Sequence, residues 1–329
     1  METGDEACSE GTVDPANALQ RGSYLRKLRQ LAEEDEEERV VHDGENSMES
    51  TLKTELLDDG SDMLLYGSFL SHQYCYDDLK HVDYKLIDYG CYPISEEDCT
   101  NHLVVEQDKG LGTGGLCWDA AFILGEYMEF HRKEWLENDR PSLRLLELGC
   151  GTGLAGMMVA KAPSNQHARD NVHISLTDLP NLMPLLGRNL DRNFVPLAGA
   201  TADESSSKSG RYCTASSSTS SNMTICAHVL DWAEIVSATP DTYNVIIGAD
   251  IVASLYDPVA LARAIHCVAG KDTLIYISFK ESLSSIHCTF EGEMERLFDE
   301  ISFETPSKSC TRNHNPGIRI LKASGRVDL

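Results

Sequence analysis

The chain has 329 residues, of which 41% are hydrophobic, and this is enough to bury one substantial core. Its formal net charge of −25 at pH 7 argues against binding to nucleic-acid phosphates or anionic lipid and favours basic partners. The acidic opening METGDEACSE lacks the basic-then-apolar order of a signal peptide, and no apolar run approaches the roughly 20 residues of a membrane span. We therefore expect a cytoplasmic protein, also present in the nucleus.

Residues 1–60 are rich in Asp, Glu, Ser and Gly, and contain the run EEDEEE at residues 33–38. Such a segment has too few apolar side chains to fold alone, so we predict a solvated acidic tail followed by one domain over residues 61–329. Eleven cysteines occur without a CxxC pair, which predicts neither a zinc site nor a disulfide framework.

Within the domain, strand-like and helix-like patterns alternate. HLVVE from His102 predicts a strand, WDAAFILGEYMEF a helix and LRLLEL a buried strand. GLAGMMVAKA, VHISLTD and a leucine stripe (Leu182, Leu185, Leu186 and Leu190) continue the alternation as helix, strand and helix. MTICAHV, YNVIIGAD and DTLIYISF predict three more strands, with a helix from Pro258 to Val268 before the last. The order predicts an α/β fold with a mostly parallel sheet covered by helices on both faces.

Two further segments complete this outline. FDEISFET and GIRILKA predict an antiparallel hairpin that closes the sheet. A Ser-rich stretch at about residues 197–222 predicts a flexible surface insertion before the third strand.

The most informative segment is LLELGCGTG, residues 145–153, an apolar strand that runs into a glycine turn before a helix. Glycines allow the backbone to turn sharply and to approach a ligand closely. Gly151, Gly153 and Gly156 also satisfy the dinucleotide pattern GxGxxG, so a nicotinamide site is the alternative. The register opposes it, because Gly149 already ends the strand and the acid Glu147 precedes it by two residues. An acid there suits the ammonium group of S-adenosylmethionine better than a pyrophosphate.

Acidic residues end two other predicted strands. Asp178 could accept hydrogen bonds from ribose hydroxyls or cap a helix beginning near Pro180. Asp250, at the end of the fourth strand of the predicted sheet, is the best candidate for the reacting centre, with a helix cap as its alternative. Trp118 and Trp232 flank predicted strand ends, where an indole can pack against adenine or near a sulfonium, although core packing is common for tryptophan.

The ordered motifs GLCWDAAFILGEYM, LLELGCGTGLAG, LTDLPNLMPLLGRNL, VLDW and VIIGADIV resemble the family 16 protein-lysine methyltransferases, the methyltransferase-like 21 group of seven-β-strand enzymes. The resemblance covers about His102 to Ala323. It implies a Rossmann-like class I methyltransferase that takes S-adenosyl-L-methionine as cofactor and methylates lysine on a protein substrate. It also implies that Asp250 begins the acidic motif that holds the acceptor amine. The cofactor pocket that we predict is lined by Trp118, Glu147, Gly149, Cys150, Gly151, Asp178, Leu179, Trp232 and Ala249.

One position departs from the family pattern, which has an aromatic residue three places after the acid, where this chain has Ala253. We expect Tyr256, three residues further on, to act in its place as a second catalytic residue. Two alternatives remain open: a different acceptor, such as a histidine, an N-terminus or a small amine, and a scaffold that binds S-adenosylmethionine without turnover. Since the chain is acidic, we expect a basic protein substrate and neither a nucleic-acid nor a membrane partner.

Overall fold

The computed structural model describes residues 54–56, 62–65, 84–90, 102–136, 142–161, 172–196, 208–213, 223–235, 242–253, 255–280, 285–307, 310–311 and 317–328. Most of the predicted acidic tail, including its run of acids, lies outside these ranges. No helix within them is long and apolar enough to cross a membrane.

A four-stranded sheet comes first in the chain. Its strands lie in the order β1 (Thr54–Leu56), β2 (Asp62–Leu65), β3 (Leu86–Gly90) and β4 (His102–Glu106). Pairing is antiparallel between β1 and β2, parallel between β2 and β3, and antiparallel between β3 and β4. The predicted strand HLVVE is thus confirmed as β4, at one edge of this separate sheet. Strand β1 lies inside the segment predicted as a tail, whose boundary at residue 60 stays a prediction.

The main sheet contains nine strands in the order β12-β13-β11-β10-β5-β6-β9-β8-β7. Within it β5, β6, β9, β10 and β11 are mutually parallel, and β13 is antiparallel to both β11 and β12. The predicted seven-stranded sheet with its antiparallel closing hairpin is confirmed. The strands are β5 (Leu143–Leu148), β6 (Val172–Asp178), β7 (Val195–Pro196), β8 (Lys208–Cys213), β9 (Met223–Val229), β10 (Tyr243–Ala249), β11 (Ala269–Lys280), β12 (Phe298–Glu304) and β13 (Ile318–Arg326).

The strands β7 and β8 extend the predicted sheet. Strand β8 lies within the predicted flexible insertion and pairs antiparallel with β9, so residues 208–213 correct that prediction. The backbone of this segment pairs with β9 on one side and with β7 on the other, although its composition is polar. The other residues predicted as the insertion, 197–207 and 214–222, lie outside the part of the chain that the structure describes.

Helices cover both faces of the main sheet, as predicted. The alternation of side chains along β5 sends Leu145 into one buried cluster with α1 and α3, and sends Leu146 and Leu148 into a second cluster with α6 and α7. Each such leucine contributes about 1.5–3 kcal/mol when it is fully buried. The helices are α1 (Asp119–Phe130), α2 (Arg132–Leu136), α3 (Leu154–Lys161), α4 (Met183–Asn193), α5 (Trp232–Ile235), α6 (Pro258–Val268) and α7 (Ser285–Leu297), with 3-10 turns at Lys109–Gly115 and Pro180–Leu182.

Two asparagines of α4 bind the edge of β4. The Asn193 amide accepts from the Val104 N–H at 2.9 Å and donates to the Val104 carbonyl at 2.8 Å. The Asn189 amide makes the same pair of bonds with Glu106, at 2.7 and 3.1 Å. Residues two apart in a strand repeat about every 6.8 Å and residues four apart in a helix about every 6 Å, so the spacings match. The amides act as a substitute for a neighbouring strand at an otherwise open edge.

The side chain of Glu106 strengthens the same contact. Arg188 Nε lies 3.2 Å from its Oε1 and Arg192 Nη2 lies 3.1 Å from its Oε2, while the Lys85 ammonium is 3.9 Å away. Burial raises the pKa of this carboxyl, but the hydrogen bonds and charges of the three cations outweigh burial, so the pKa lies below its ordinary value of 4.5. The ionised form therefore stabilises the folded state.

The Glu106→Gln variant should lower the free energy of unfolding by about 1–2 kcal/mol at pH 7, because two charge-assisted hydrogen bonds are weakened. A carboxyl with a depressed pKa stabilises the fold above its unfolded pKa and loses that contribution as pH falls through the folded pKa. The difference between the two proteins should thus shrink below about pH 4 in thermal and denaturant unfolding.

The matched control is Glu134→Gln, which removes the contacts of a 45% exposed carboxylate with Lys322 and His131. An exposed pair of this kind contributes about 0–1 kcal/mol. Equal losses in the two variants at pH 7 would contradict the role given to Glu106.

Candidate active site at the carboxyl ends of the parallel strands

The glycine turn between β5 and α3 has a left-handed backbone. The φ angles are +57° at Gly149, +54° at Gly151 and +81° at Gly153, values that favour glycine. A Cβ atom added to Gly151 would lie 2.7 Å from the carbonyl oxygen of Gly114, and one added to Gly149 would lie 2.8 Å from Cγ2 of Ile251. The turn is therefore held closely between the first 3-10 turn and the loop after β10.

The end of β6 fixes the backbone of this turn. The Cys150 N–H donates to the Thr177 carbonyl at 3.0 Å, and the Gly151 N–H donates to Asp178 Oδ2 at 2.7 Å. Within the turn, the Gly153 N–H donates to the Cys150 carbonyl at 2.7 Å. The position of Asp178 and the shape of the turn thus depend on each other.

The carboxylate of Asp178 is bound through both of its oxygens. Besides Gly151, the Leu179 N–H donates to its Oδ1 at 2.7 Å. Burial raises the pKa of this carboxyl, and the two backbone hydrogen bonds lower it in part. Neither bond comes from the turn that begins at Pro180, so the structure does not show the helix cap that the sequence left open. A carboxylate has about four acceptor positions, which leaves capacity for ligand hydroxyls. Leu179 itself is 43% exposed.

Glu147 lies beneath the turn and is only 1% exposed. Its Oε2 accepts from the Gly156 N–H near the start of α3 at 2.8 Å. Burial, together with the negative charge of Asp178, raises the pKa of Glu147 to about 8, against the lowering effect of the Gly156 hydrogen bond. The partner of this oxygen is thus the helix backbone, and the predicted contact of Glu147 with a ligand ammonium stays a prediction.

Asp250 follows β10 and is, in the described part of the chain, the one residue other than glycine with a positive φ, +57°. Its N–H donates to the Ser278 carbonyl at 2.8 Å. Burial raises the pKa of its carboxyl, while a hydrogen bond from the Lys280 backbone and the Lys280 charge lower it. Residues held in this sparsely populated region are concentrated at functional sites, and aspartate tolerates it better than most. The cap of the next helix is instead Asp257, whose Oδ1 accepts from the Val259 N–H at 2.9 Å.

One tryptophan contacts the turn directly, and another is bonded to the 3-10 turn that packs against it. The Trp232 ring packs edge-to-face against Tyr256 with centroids 4.9 Å apart, and its Cζ2 lies 3.1 Å from where a Cβ of Gly149 would be. Trp118 is half-buried, and its Nε1 donates to the Thr113 carbonyl at 2.9 Å in the first 3-10 turn. Both tryptophans therefore lie near the predicted pocket and are also fixed by contacts of their own.

The structure thus brings most of the predicted site residues to one edge of the sheet. Glu147 is packed under the turn, and Cys150, 8% exposed, has a thiol whose pKa burial raises well above its ordinary value. Sequence reasoning missed Gly114 and Asn189, which contact the turn from elements distant in the chain. The glycine-rich run GLGTGG and the repeated Arg-Asn pair in RNLDRN were the available signals. The residues found at the edge are Gly149, Cys150, Gly151, Asp178, Leu179, Trp232, Ala249, Asp250 and Tyr256.

Comparison with known proteins relates this chain to protein-lysine methyltransferases. Residues 98–204, which include the glycine turn and Asp178 and end before Asp250, match the model of a family described as lysine methyltransferase. EEF1A lysine methyltransferase 3 of Xenopus tropicalis is 26% identical over 69% of this chain and 82% of that protein. Protein N-lysine methyltransferase METTL21A of Danio rerio is 27% identical over 56% of this chain and 69% of that protein. Protein-lysine N-methyltransferase EFM6 of Saccharomyces cerevisiae is 33% identical over 28% of this chain and 39% of that protein.

These matches confirm the predicted enzyme class and the predicted cofactor, S-adenosylmethionine. Residues 98–204 are thus similar to the lysine methyltransferase family, and longer stretches of the chain are similar to named protein-lysine methyltransferases.

Proposed function

We propose that this protein transfers a methyl group from S-adenosylmethionine to the side-chain amine of a lysine in a basic segment of another protein. The observation that carries the proposal is the contact between the glycine turn and the loop of Asp250. These segments follow the paired parallel strands β5 and β10, and Gly149 lies against Ile251, the residue after Asp250. Ligands of open α/β sheets bind at such an edge.

The residues present fit the cofactor. The turn has no room for a Cβ at Gly149 or Gly151, which pack against Ile251 and Gly114, so the shape of the turn depends on glycine at both positions. Asp178 is oriented for ribose hydroxyls, and the exposed side chain of Leu179 and the half-buried ring of Trp232 provide apolar surface for adenine. When bound, S-adenosylmethionine supplies an electrophilic methyl group on a sulfonium.

Asp250 is the proposed partner of the acceptor amine. A free lysine has a pKa near 10.4 and must lose its proton before it attacks. A carboxylate alone would raise that pKa, whereas burial of the amine lowers it, so Asp250 acts by orienting the amine and is not the sole base. Holding nitrogen and methyl in line can contribute roughly 7–11 kcal/mol. The Tyr256 ring, held by Trp232, forms a wall of this site in place of the aromatic residue missing at Ala253.

The charge of the chain supports a basic substrate, because a net charge of −25 attracts cationic segments and repels nucleic acid. A cytoplasmic and nuclear location is also part of the proposal. The six cysteines in the described part of the chain are free thiols, as expected in a reducing compartment.

The test is incubation of the purified protein with radiolabelled S-adenosylmethionine and a lysate of its source, followed by acid hydrolysis and amino-acid analysis of labelled bands. Label recovered as methyl-lysine supports the proposal. Label on histidine or an N-terminus contradicts the proposed acceptor. Donor binding without labelling of any protein contradicts turnover and favours the scaffold.

A substitution in the turn should weaken cofactor binding. The Gly151→Ala variant must place a Cβ 2.7 Å from a backbone oxygen at a φ of +54°, so the turn has to move. We expect the Kd for S-adenosylmethionine, measured by calorimetry, to rise at least about tenfold, the equivalent of 1.4 kcal/mol.

The matched control is Gly187→Ala in α4, where an added Cβ meets no atom within 4 Å. This variant should bind the cofactor normally and be up to about 1 kcal/mol more stable, since alanine favours a helix. Equal affinities in the two variants would show that the turn does not bind the cofactor.

The Asp250→Asn variant should separate transfer from binding. Asparagine keeps the size of the side chain and tolerates a positive φ, but it removes the charge that orients the amine. We expect kcat to fall by about 10²-fold or more, with the Kd for S-adenosylmethionine changed less than about threefold. The control Asp257→Asn keeps a helix-capping residue and should retain activity. Parallel loss of affinity and turnover would contradict the role of Asp250.

Two substitutions of Tyr256 should distinguish its ring from its hydroxyl. Tyr256→Phe preserves the edge-to-face contact with Trp232 and should retain most of kcat. Tyr256→Ala opens the wall beside the acceptor and should lower kcat by roughly tenfold or more, because the amine is held less closely in line. Steady-state kinetics with the labelled substrate measure both, and a large loss in the Phe variant would assign the role to the hydroxyl.

A further inference from the structure

The side-chain amide of Asn189 connects the small sheet to the glycine turn. It is fully buried, and its Oδ1 accepts from the Glu106 N–H of β4 at 2.7 Å. Its Nδ2 donates to two carbonyls, that of Glu106 at 3.1 Å and that of Thr152 at 3.0 Å. Thr152 lies inside the turn, so one side chain spans two elements that are more than 40 residues apart in sequence.

The conformation of the glycine turn depends on the orientation of the Thr152 carbonyl. This carbonyl lies between Gly151 and Gly153, whose left-handed φ angles favour glycine, the residue with the widest range of backbone conformations. Rotation of the peptide after Thr152 would also turn the Gly153 N–H, which closes the turn on Cys150. A hydrogen bond to this carbonyl from a rigid helix therefore limits the conformations of the turn.

A second polar route runs from the small sheet to the same residue. The Gln107 side chain, directly after β4, accepts from the Cys117 N–H at 2.8 Å, and Cys117 Sγ lies 3.5 Å from Thr152 Oγ1. All three residues are buried. The Asn189 bond is thus one of two contacts that set Thr152 relative to β4, and it is the one that reaches the backbone of the turn.

We propose that Asn189 is a positioning residue for cofactor binding: through the Thr152 carbonyl it holds the glycine turn in the shape that receives S-adenosylmethionine. This inference rests on the proposed function, because it takes the turn as the place where the cofactor binds.

The chain contains a matched control one helical turn away. Asn193 also makes three hydrogen bonds: it accepts from the Val104 N–H at 2.9 Å and donates to the Val104 and Asn189 carbonyls at 2.8 Å each. Two of the three bonds are equivalent to those of Asn189, since both bind a residue of β4. The third differs, because it ends on the helix and not on the turn.

The experiment compares Asn189→Ala with Asn193→Ala in the full chain. Both variants should show lower unfolding midpoints, since each loses two hydrogen bonds to β4. Only Asn189→Ala should raise the Kd for S-adenosylmethionine, by about tenfold, while the change in Asn193→Ala stays below about twofold. In turnover, the KM for S-adenosylmethionine should rise in Asn189→Ala, with kcat at saturating cofactor little changed.

Equal Kd values in the two variants would overturn the inference and reduce Asn189 to a structural contact. If Asn189→Ala does not fold, Asn189→Ser and Asn193→Ser replace the pair, because serine is too short to bridge the two elements and brings no charge into the buried site. Failure of the parent protein to bind S-adenosylmethionine would instead contradict the proposed function. The two failures are therefore distinguishable.

Discussion

The hydrogen bond from the Gly151 backbone to Asp178 joins the ends of two neighbouring strands, and the rest of the site is arranged around it. Because β5 lies between β6 and β10, a turn after β5 is within reach of side chains on both sides. Asp178 reaches it from β6, and the loop of Asp250 packs against it from β10. The order of strands thus places the glycine turn, which is the proposed cofactor site, beside the carboxylate proposed to hold the acceptor.

Two kinds of buried acid occur in this fold, and their charges are balanced differently. Glu106 is neutralised by cations of its own chain, which lower its pKa. Near the glycine turn Glu147 is buried and Asp178 and Asp250 are half-buried, and the pKa of each is raised. Perturbed acids of this second kind are typical of sites that receive a cationic ligand. Both reactants proposed here are cationic in solution, the sulfonium of the donor and the ammonium of lysine, so their binding would relieve the unfavourable burial of these carboxylates.

The sequence predicted the main sheet well because its signal is local. Alternating burial along β5 and the capped start of α6 after Asp257 can be seen in short windows, and the helix Pro258–Val268 was predicted with its observed bounds. Contacts between distant segments could not be predicted. Whether Asp178 caps the next turn or binds Gly151, 27 residues earlier, depends on strand order. Strand β8 was missed because its polar composition gives no apolar alternation, and Asn189 because its partners lie on two other elements.

The paired amides of α4 also constrain how this part of the fold can change in evolution. The two asparagines meet β4 in register because four helical residues advance about as far as two strand residues. A single inserted residue between them would rotate one amide about 100° around the helix axis and away from the strand. Helix α4 can therefore accept new side chains on its exposed side, but a change of length between Asn189 and Asn193 would break one of the two contacts with β4.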